Sequence, residues 1–196
     1  LVAHIPGLKV ALPSSAYEAK GLLKTAIRDN NPVVILEDKL MYQDKAPVPE
    51  EEYLIPFGQA NIVREGSDVT LVATSSMRQV CEKTADMLTE DGISTEIIDP
   101  RTIVPLDEAT ILSSVKKTSR AIVVDEGHQS YGVAAELASI ISEKAFYHLD
   151  APVIRMGAMD VPVPFSPVLE DLTVPTPESV AQNARKIVSG EMIHGL

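Results

Sequence analysis

Two short stretches of the sequence carry most of the side chains that could do chemistry. The first is DEGHQSYG, residues 125–132, which brings Asp125, Glu126, His128 and Ser130 directly after an apolar run. Carboxylates, an imidazole and a hydroxyl in such a place are typical of acid–base or nucleophilic catalysis. Ser130 lacks the flanking glycines of a nucleophile elbow. The stretch therefore favours a loop at an active-site rim or subunit interface, with His128 as the rim candidate, or a plain helix start.

The second stretch is AIRDNN, residues 26–31, where a helical pattern stops just before Pro32. The last carbonyl groups of a helix have no intrahelical partner and form the negative end of its dipole. Together with the Asp29 carboxylate and the Asn31 amide oxygen, they could line a site for a hard cation such as potassium. The residues alone favour the alternative, in which Asp29 and Asn31 cap the helix and turn the chain.

Alternating apolar runs and amphipathic helical patterns position both stretches. Residues 8–38 predict a β-α-β unit, with Val33–Leu36 as a strand covered on both faces. After it we expect helices starting near residues 76, 107, 133 and 176, and strands over 58–64, 69–73, 95–98, 121–124 and 153–156. The first two of these strands should form a hairpin. This order predicts an α/β fold with a mostly parallel sheet and helices on both faces, and ligands then bind at the carboxyl ends of the strands.

Residues 43–57, QDKAPVPEEEYLIPF, have the composition of a linker and mark a domain boundary. We expect one unit over residues 1–45, a linker over 46–57 and a second domain over 58–196. Two serines look like capping-box residues: Ser15 with Glu18, and Ser76 with Gln79. Asp107 should cap the third helix, and Pro177 should open the last one.

Charge and composition exclude several classes of function. The 196 residues include 17 basic and 28 acidic side chains, a net charge of −11, so neither nucleic acid nor an anionic membrane surface is expected as a partner. Cys81 is the single cysteine, and its place in a helical pattern predicts a small buried hydrophobe. The opening segment has no signal-peptide pattern, and a cytoplasmic location is the expectation.

Residues 158–178, AMDVPVPFSPVLEDLTVPTPE, contain five prolines. Regular structure is not expected from Asp160 to Val174. The spacing of the apolar residues predicts burial, either as an extended arm lying over a neighbouring subunit or as an internal cover strap.

Three long segments resemble the β subunits of the thiamine-diphosphate-dependent 2-oxo acid and acetoin dehydrogenases. They are HIPGLKVALPSSAYEAKGLLKTAIRDNNPVVILEDKLMY, IDPRTIVPLDEATILSSVKKTSRAIVVDEGHQSYGVAAELA and FYHLDAPVIRMGAMDVPVPFSPVLEDLTVP. The segments EGHQSYG and MDVPVPFSPVLEDL are most similar to the acetoin branch and almost as similar to the pyruvate branch. The resemblance implies the end of a pyrimidine-binding domain over residues 1–45 and a transketolase C-terminal-type domain over residues 58–196.

The resemblance also implies what this chain contributes to a whole enzyme. Thiamine diphosphate and magnesium would be bound with the partner α subunit, and the family's activating glutamate and active-site histidine would lie upstream of Leu1. No catalytic or cofactor-contacting residue is therefore assigned, and the chain alone is expected to be inactive. The C-terminal domain would contact the α subunit and a second β subunit.

Two sites carry over by resemblance. Potassium would be held by the Ala26 and Ile27 carbonyls together with oxygens of Asp29 and Asn31. Asp150, in the segment LDAP, would dock the lipoyl acyltransferase core, although an ordinary exposed carboxylate is the alternative at that position. Two other functions stay open: a non-catalytic oligomerisation and docking module, and a transketolase-like carboligase.

Overall fold

The computed structural model describes residues 1–191, and the last five residues of the predicted second domain lie outside that range. The strands are β1 Lys9–Ala11, β2 Val33–Ile35, β3 Asn61–Arg64, β4 Val69–Ala73, β5 Thr95–Asp99, β6 Thr102–Val104, β7 Ala121–His128 and β8 Ile154–Ala158. The helices are α1 Ala16–Ile27, α2 Met77–Glu90, α3 Glu108–Thr118, α4 Val133–Lys144, α5 Pro167–Glu170 and α6 Pro177–Ser189. Short 3-10 turns cover Val2–His4, Lys39–Gln43 and Phe146–His148.

The larger sheet has five strands in the order β3-β5-β4-β7-β8. β4 runs parallel to β5 and β7, and β8 runs parallel to β7, while β3 is an antiparallel edge strand. The predicted mostly parallel sheet is therefore confirmed. The chain leaves β4 towards β5 on one side and later returns to β7 on the other, so the carboxyl ends of β4 and β7 flank the switch point where such sheets bind ligands.

β4 explains why this sheet needs helices on both faces. Successive side chains of a strand point to opposite faces, so a strand such as β4, in which every residue is buried, must be covered on both faces. One core packs residues of β4 against α2 and α6: Val69, Leu71, Ala73, Cys81, Leu88 and Ala181. The other packs β4 against α3: Val72, Ile111 and Val115. The prediction that Cys81 is a buried hydrophobe is also confirmed.

The smaller sheet has the order β2-β1-β6; it contradicts one strand prediction and contains one strand that was not predicted. β1 and β2 are parallel, as the β-α-β prediction requires, but Val33–Ile35 is an edge strand and only half-buried. β6 was not predicted; it pairs antiparallel with β1 and so ties the second domain to the first unit.

The predicted hairpin between β3 and β4 was also wrong, because β5 lies between these two strands. The connecting loop crosses the start of β5 at Gly66. A Cβ on Gly66 would lie 2.2 Å from the Thr95 carbonyl carbon, so this close backbone approach requires glycine.

The linker over residues 46–57 packs against α1 as an extended strap. The Thr25 hydroxyl donates to the Ile55 carbonyl at 2.8 Å, and the Ile55 side chain is buried. Tyr53 stacks on Tyr17 with ring centroids 4.5 Å apart. A Cβ on Gly21 would meet Ile55 at 2.6 Å, so the strap lies directly on the helix backbone. Within residues 1–191, no helix combines the length and apolarity needed to cross a membrane.

Candidate functional site

The end of α1 leaves the Ile27 carbonyl without its usual helical partner. The backbone N–H of Asn31 would continue the helix to the Ile27 carbonyl, but it donates instead to Asp29 Oδ1 at 2.9 Å. The Asn31 amide donates to the same oxygen at 3.0 Å. The Ala26 carbonyl accepts from the Asp29 N–H at 3.2 Å. The four predicted ligand residues are therefore adjacent, and Asp29 organises the turn that the capping alternative described.

Lys9 also lies at this junction, and the sequence analysis did not predict its contact there. Its ammonium donates to Asp29 Oδ2 at 2.5 Å. This hydrogen bond, followed by those from Asn31, lowers the pKa of Asp29 to about 2. Asp29 is therefore ionised at neutral pH, and a cation already lies against its second oxygen.

The carboxylates of DEGHQSYG lie at the carboxyl end of β7, beside the end of β4. The Thr74 hydroxyl donates to the buried Asp125 at 2.5 Å, and the Ser76 hydroxyl donates to Glu126 at 2.6 Å. Ser76 therefore makes no capping box with Gln79, and that prediction was wrong, because its hydroxyl is used by Glu126. Burial, together with the neighbouring Asp38 carboxylate, raises the pKa of Glu126.

His128 and Ser130 do not form a nucleophile–base pair. β7 extends through His128, whose side chain is exposed and whose Nδ1 lies 2.8 Å from the Met159 carbonyl oxygen. The Ser130 hydroxyl donates to Asp160 at 2.5 Å, which lowers the pKa of Asp160. A general base oriented on Ser130 would be needed for attack, and Ser130 is instead a donor that holds the start of the proline-rich segment.

A buried charged cluster between the two units was missed by the sequence analysis. Glu18 was expected to reach back to Ser15, but the helix start is capped only by the Ser15 hydroxyl, which accepts from the Glu18 N–H. The Glu18 carboxylate points instead to Arg101, whose Nε donates at 2.9 Å, and to Arg78 at 3.3 Å. The sequence contained one indication of this cluster: Glu18 lies on the apolar face of a helix, together with the buried Leu22.

A cavity of about 660 Å³ opens beside this cluster, between α1, the chain after β2 and the start of α2. Its charged lining has five carboxylates against three cations: Glu37, Asp38, Asp44, Glu82 and Asp86 against Lys45, Arg78 and Lys83. The excess of negative charge favours a neutral or cationic occupant over an anionic one.

Asp150 lies in the turn between α4 and β8. Its backbone N–H donates to the Ser119 carbonyl at 2.9 Å, and its carboxylate pairs with Arg120 at 3.3 Å. The Asp150 side chain keeps 59% of its surface exposed. The carboxylate is thus positioned by the fold and still accessible to a partner.

The proline-rich segment lies on the surface. It contains one short helix, α5, where no regular structure was expected. Its apolar side chains are largely exposed, including Val163 at 62%, Val168 at 73%, Leu169 at 53% and Phe165 fully. An internal cover strap would bury these side chains, so this alternative was wrong, and the segment forms an apolar arm over residues 159–172.

A sequence profile described as "Transketolase, C-terminal domain" matches residues 58–180. The chain belongs to the transketolase C-terminal domain family. A second profile, "Transketolase, pyrimidine binding domain", matches residues 1–45. The two transketolase profiles follow each other in the order that the resemblance implied.

Relatives of this transketolase-family chain include β subunits of two enzymes. The acetoin:2,6-dichlorophenolindophenol oxidoreductase subunit beta of Bacillus subtilis is 48% identical over 180 residues, 92% of this chain and 53% of the relative. The pyruvate dehydrogenase E1 component subunit beta of Rickettsia felis is 48% identical over 185 residues, 94% of this chain and 57% of the relative. The resemblance to the acetoin and pyruvate branches is confirmed, and the chain spans about half the length of these relatives.

Solved structures support the same fold. A chain described as "Split gene transketolase, inactive beta4 tetramer" is similar with a TM-score of 0.78 and 22% identity, over 97% of this chain and 60% of that chain. A transketolase mutant from Pichia stipitis is similar with a TM-score of 0.65 and 17% identity, over 95% of this chain and 26% of that one. At these identities the similarity extends to the fold alone.

Proposed function

We propose that this chain is the C-terminal part of the β subunit of a thiamine-diphosphate-dependent enzyme. The whole enzyme cleaves acetoin or decarboxylates pyruvate and passes the acyl group to a lipoyl acyltransferase. The observation that carries this proposal is the 48% identity to the Bacillus subtilis acetoin subunit over 92% of the chain. The pyruvate dehydrogenase subunit of Rickettsia felis has the same identity, so either acyl donor is compatible.

The cavity beside the buried charged cluster does not suit the diphosphate of thiamine diphosphate. A diphosphate placed in the 660 Å³ cavity would meet five carboxylates against three cations. Within residues 1–191, no group of three or more carboxylate, histidine or cysteine side chains converges to hold the accompanying magnesium ion. In this proposal the α subunit holds the diphosphate and the metal, as the family resemblance implies, and this chain contributes structure and contacts.

The apolar arm over residues 159–172 is the proposed contact with the α subunit. Exposed apolar side chains in one contiguous segment mark a protein interface. The partner is the α subunit because the relatives carry the name "subunit beta", which describes one of two unlike chains.

Co-purification tests this assembly. In a full-length subunit, this chain replaces the matching segment of the Bacillus subtilis acetoin β subunit, and the chimera is co-expressed with a tagged α subunit. We expect stoichiometric co-purification, and loss of it on Phe165→Asp, because a charge at the centre of an apolar contact is desolvated without a partner. Tyr147→Asp is the matched control, since Tyr147 is 96% exposed but lies outside the arm. Equal binding by the chimera and its Phe165→Asp variant would contradict the assignment of the arm.

Potassium at the end of α1 is the second element of the proposal. The Ile27 carbonyl lacks its helical donor, and the Ala26 carbonyl, Asp29 and Asn31 supply oxygens around the same turn. Lys9 competes with a metal ion for Asp29. A potassium ion would therefore bind through the carbonyl oxygens first and share Asp29 with the ammonium group.

Thermal unfolding in potassium chloride and in sodium chloride at equal ionic strength tests this site. A bound ion stabilises the folded state by mass action, so wild type should melt several degrees higher in potassium. Asp29→Ala should remove most of this difference, and Lys9→Met should enlarge it by freeing an Asp29 oxygen. Asp171→Ala, at an exposed position far along the chain, is the control. If the two salts stabilise wild type and Asp29→Ala alike, the junction is a helix cap and nothing more.

Docking of the acyltransferase core at Asp150 is the third element. The carboxylate is exposed, and its partner Arg120 holds it in place without covering it. Attraction between an exposed acid and a basic domain falls as salt rises. Titration of the chimera with a basic subunit-binding domain should therefore show salt-dependent affinity that Asp150→Asn reduces. Affinity independent of both salt and Asp150 would remove the residue from the docking surface.

A further inference from the structure

Five side chains form a cluster in the contact between the first unit and the second domain, and we call it the acid seam. It consists of Glu18 from α1, Arg78 and Glu82 from α2, Asp99 from the end of β5 and Arg101 from the loop after it. The Asp99 and Glu18 side chains are exposed by 0% and 1%. The Ser14 hydroxyl, from the loop after β1, lies at the centre.

If every carboxyl group in the acid seam were ionised, there would be too few hydrogens to form the hydrogen bonds around Ser14. Ser14 Oγ lies 2.6 Å from Glu18 Oε2 and is also in hydrogen-bond contact with Asp99 Oδ2. A hydroxyl has one hydrogen to donate and two lone pairs that accept. If it donates to Glu18, its contact with Asp99 needs a hydrogen from the Asp99 carboxyl group. Arg78 Nη1, at 3.3 Å, then supplies the other donor to Ser14 Oγ.

The charges in the acid seam give the same result. Two guanidinium groups face three carboxyl groups, because Arg78 also pairs with Glu82 at 3.1 Å. Arg78 lies 3.7 Å from Asp99, whereas Arg101 reaches Asp99 only through its backbone N–H, at 2.9 Å. Glu82 keeps 42% of its side-chain surface exposed, so water screens part of its charge, but it shares Arg78 with the fully buried Asp99. A buried charge is stable only when it is well paired, and this sharing favours the neutral form of Asp99. Asp99 is the most buried of the three and has the weakest contact with a guanidinium group.

We propose that Asp99 holds a proton under mildly acidic conditions and that its ionisation around neutral pH is a switch that loosens the contact between the first unit and the second domain. In the closed state, Asp99 donates to Ser14, Ser14 donates to Glu18, and Glu18 is held by Arg78 and Arg101. An ionised Asp99 leaves two carboxylates competing for one hydroxyl hydrogen, and the loop after β1 is pushed away from the end of β5.

The electrostatics of the two acids agree with this assignment. Burial, and then the charge of Glu18, raise the pKa of Asp99 to about 7 from an ordinary value of 3.8. Burial disfavours the charged form of Glu18, but the hydrogen bonds from Ser14 and Arg101, together with the charges of Arg78 and Arg101, outweigh it and lower the pKa of Glu18. The folded chain thus binds one proton that the unfolded chain releases, and stability from Asp99 falls as pH rises from about 4 to about 7.

Asp99→Asn tests the switch, because an amide keeps the donor to Ser14 and the acceptor for the Arg101 N–H but has no charge to gain. We expect the melting temperature of wild type to fall relative to Asp99→Asn by several degrees between about pH 5 and about pH 8. Asp171→Asn, at an exposed position, should keep the pH profile of wild type. Identical profiles for wild type and Asp99→Asn would overturn the proposal.

Two measurements on wild type keep the proposal testable if Asp99→Asn fails to fold. Carbon-13 NMR of labelled aspartate should show one carboxyl group titrating near pH 7, and titration of every aspartate below about pH 5 would overturn the assignment. Hydrogen exchange of the Leu12 amide, which donates across the seam to the Arg101 carbonyl at 2.8 Å, should accelerate through the same transition after correction for intrinsic rates. Protection that does not change with pH would show that the seam does not open.

Discussion

Replacing Glu18 with alanine is expected to lower the free energy of unfolding by about 3–5 kcal/mol, because removing one partner of a buried ion cluster leaves the other charges uncompensated. The Glu18 side chain is 1% exposed and accepts from Arg101 Nε at 2.9 Å and from Arg78 at 3.3 Å. Both guanidinium groups are themselves largely buried, at 13% and 19% exposure. Chemical denaturation at neutral pH measures the loss.

Glu82→Ala is the matched control, because Glu82 pairs with the same Arg78 but keeps 42% of its side-chain surface exposed. An exposed ion pair contributes about 0–1 kcal/mol, so this variant should unfold close to wild type. Equal losses from the two alanine variants would mean that Arg78 carries the cluster and that the buried position of Glu18 adds nothing.

Most of the fold could be predicted from local patterns in the sequence. The apolar run in β4 requires cover on both faces, and α2, α3 and α6 provide it. Strand pairing could not be predicted in the same way. A turn-like loop separates β3 from β4, which is why the sequence suggested a hairpin. Only the structure shows that β5 lies between them, with Gly66 against the backbone of Thr95.

The candidate site could be predicted where its groups are neighbours in the sequence. Ala26, Ile27, Asp29 and Asn31 fall on one helix end, which a helical pattern locates. Lys9 lies 20 residues away and reaches Asp29 only because β1 pairs with β2, which places Lys9 opposite Val33, just after the junction. A contact of this kind depends on the tertiary fold, and no local spacing encodes it.

The acid seam was missed for a related reason. Ser15 and Glu18 match a capping box, and that local interpretation concealed the role of the carboxylate. Glu18 meets Arg101 across 83 residues, and Ser14 meets Asp99 across 85. The only local sign was an acidic side chain on the buried face of α1, which requires a partner from elsewhere in the fold.

The second large expected effect is on catalytic activity, which should be absent in the isolated chain and present in the whole enzyme. The cavity beside the acid seam has more carboxylates than cations in its lining and does not suit a diphosphate, and the chain spans about half the length of its relatives. We therefore expect the isolated chain to turn over neither acetoin nor pyruvate when thiamine diphosphate and magnesium are supplied. The same residues in a full-length subunit with an α subunit should support turnover, because the cofactor carries the chemistry and the protein positions it.

The most direct measurement is dye reduction by the chimeric subunit in complex with the Bacillus subtilis α subunit. In that subunit, this chain replaces the matching segment of a relative named for the transfer of electrons from acetoin to 2,6-dichlorophenolindophenol. We expect acetoin-dependent or pyruvate-dependent reduction of the dye that requires added thiamine diphosphate, and no reduction by the isolated chain. A chimera that folds and assembles with the α subunit but reduces the dye with neither substrate would contradict this expectation.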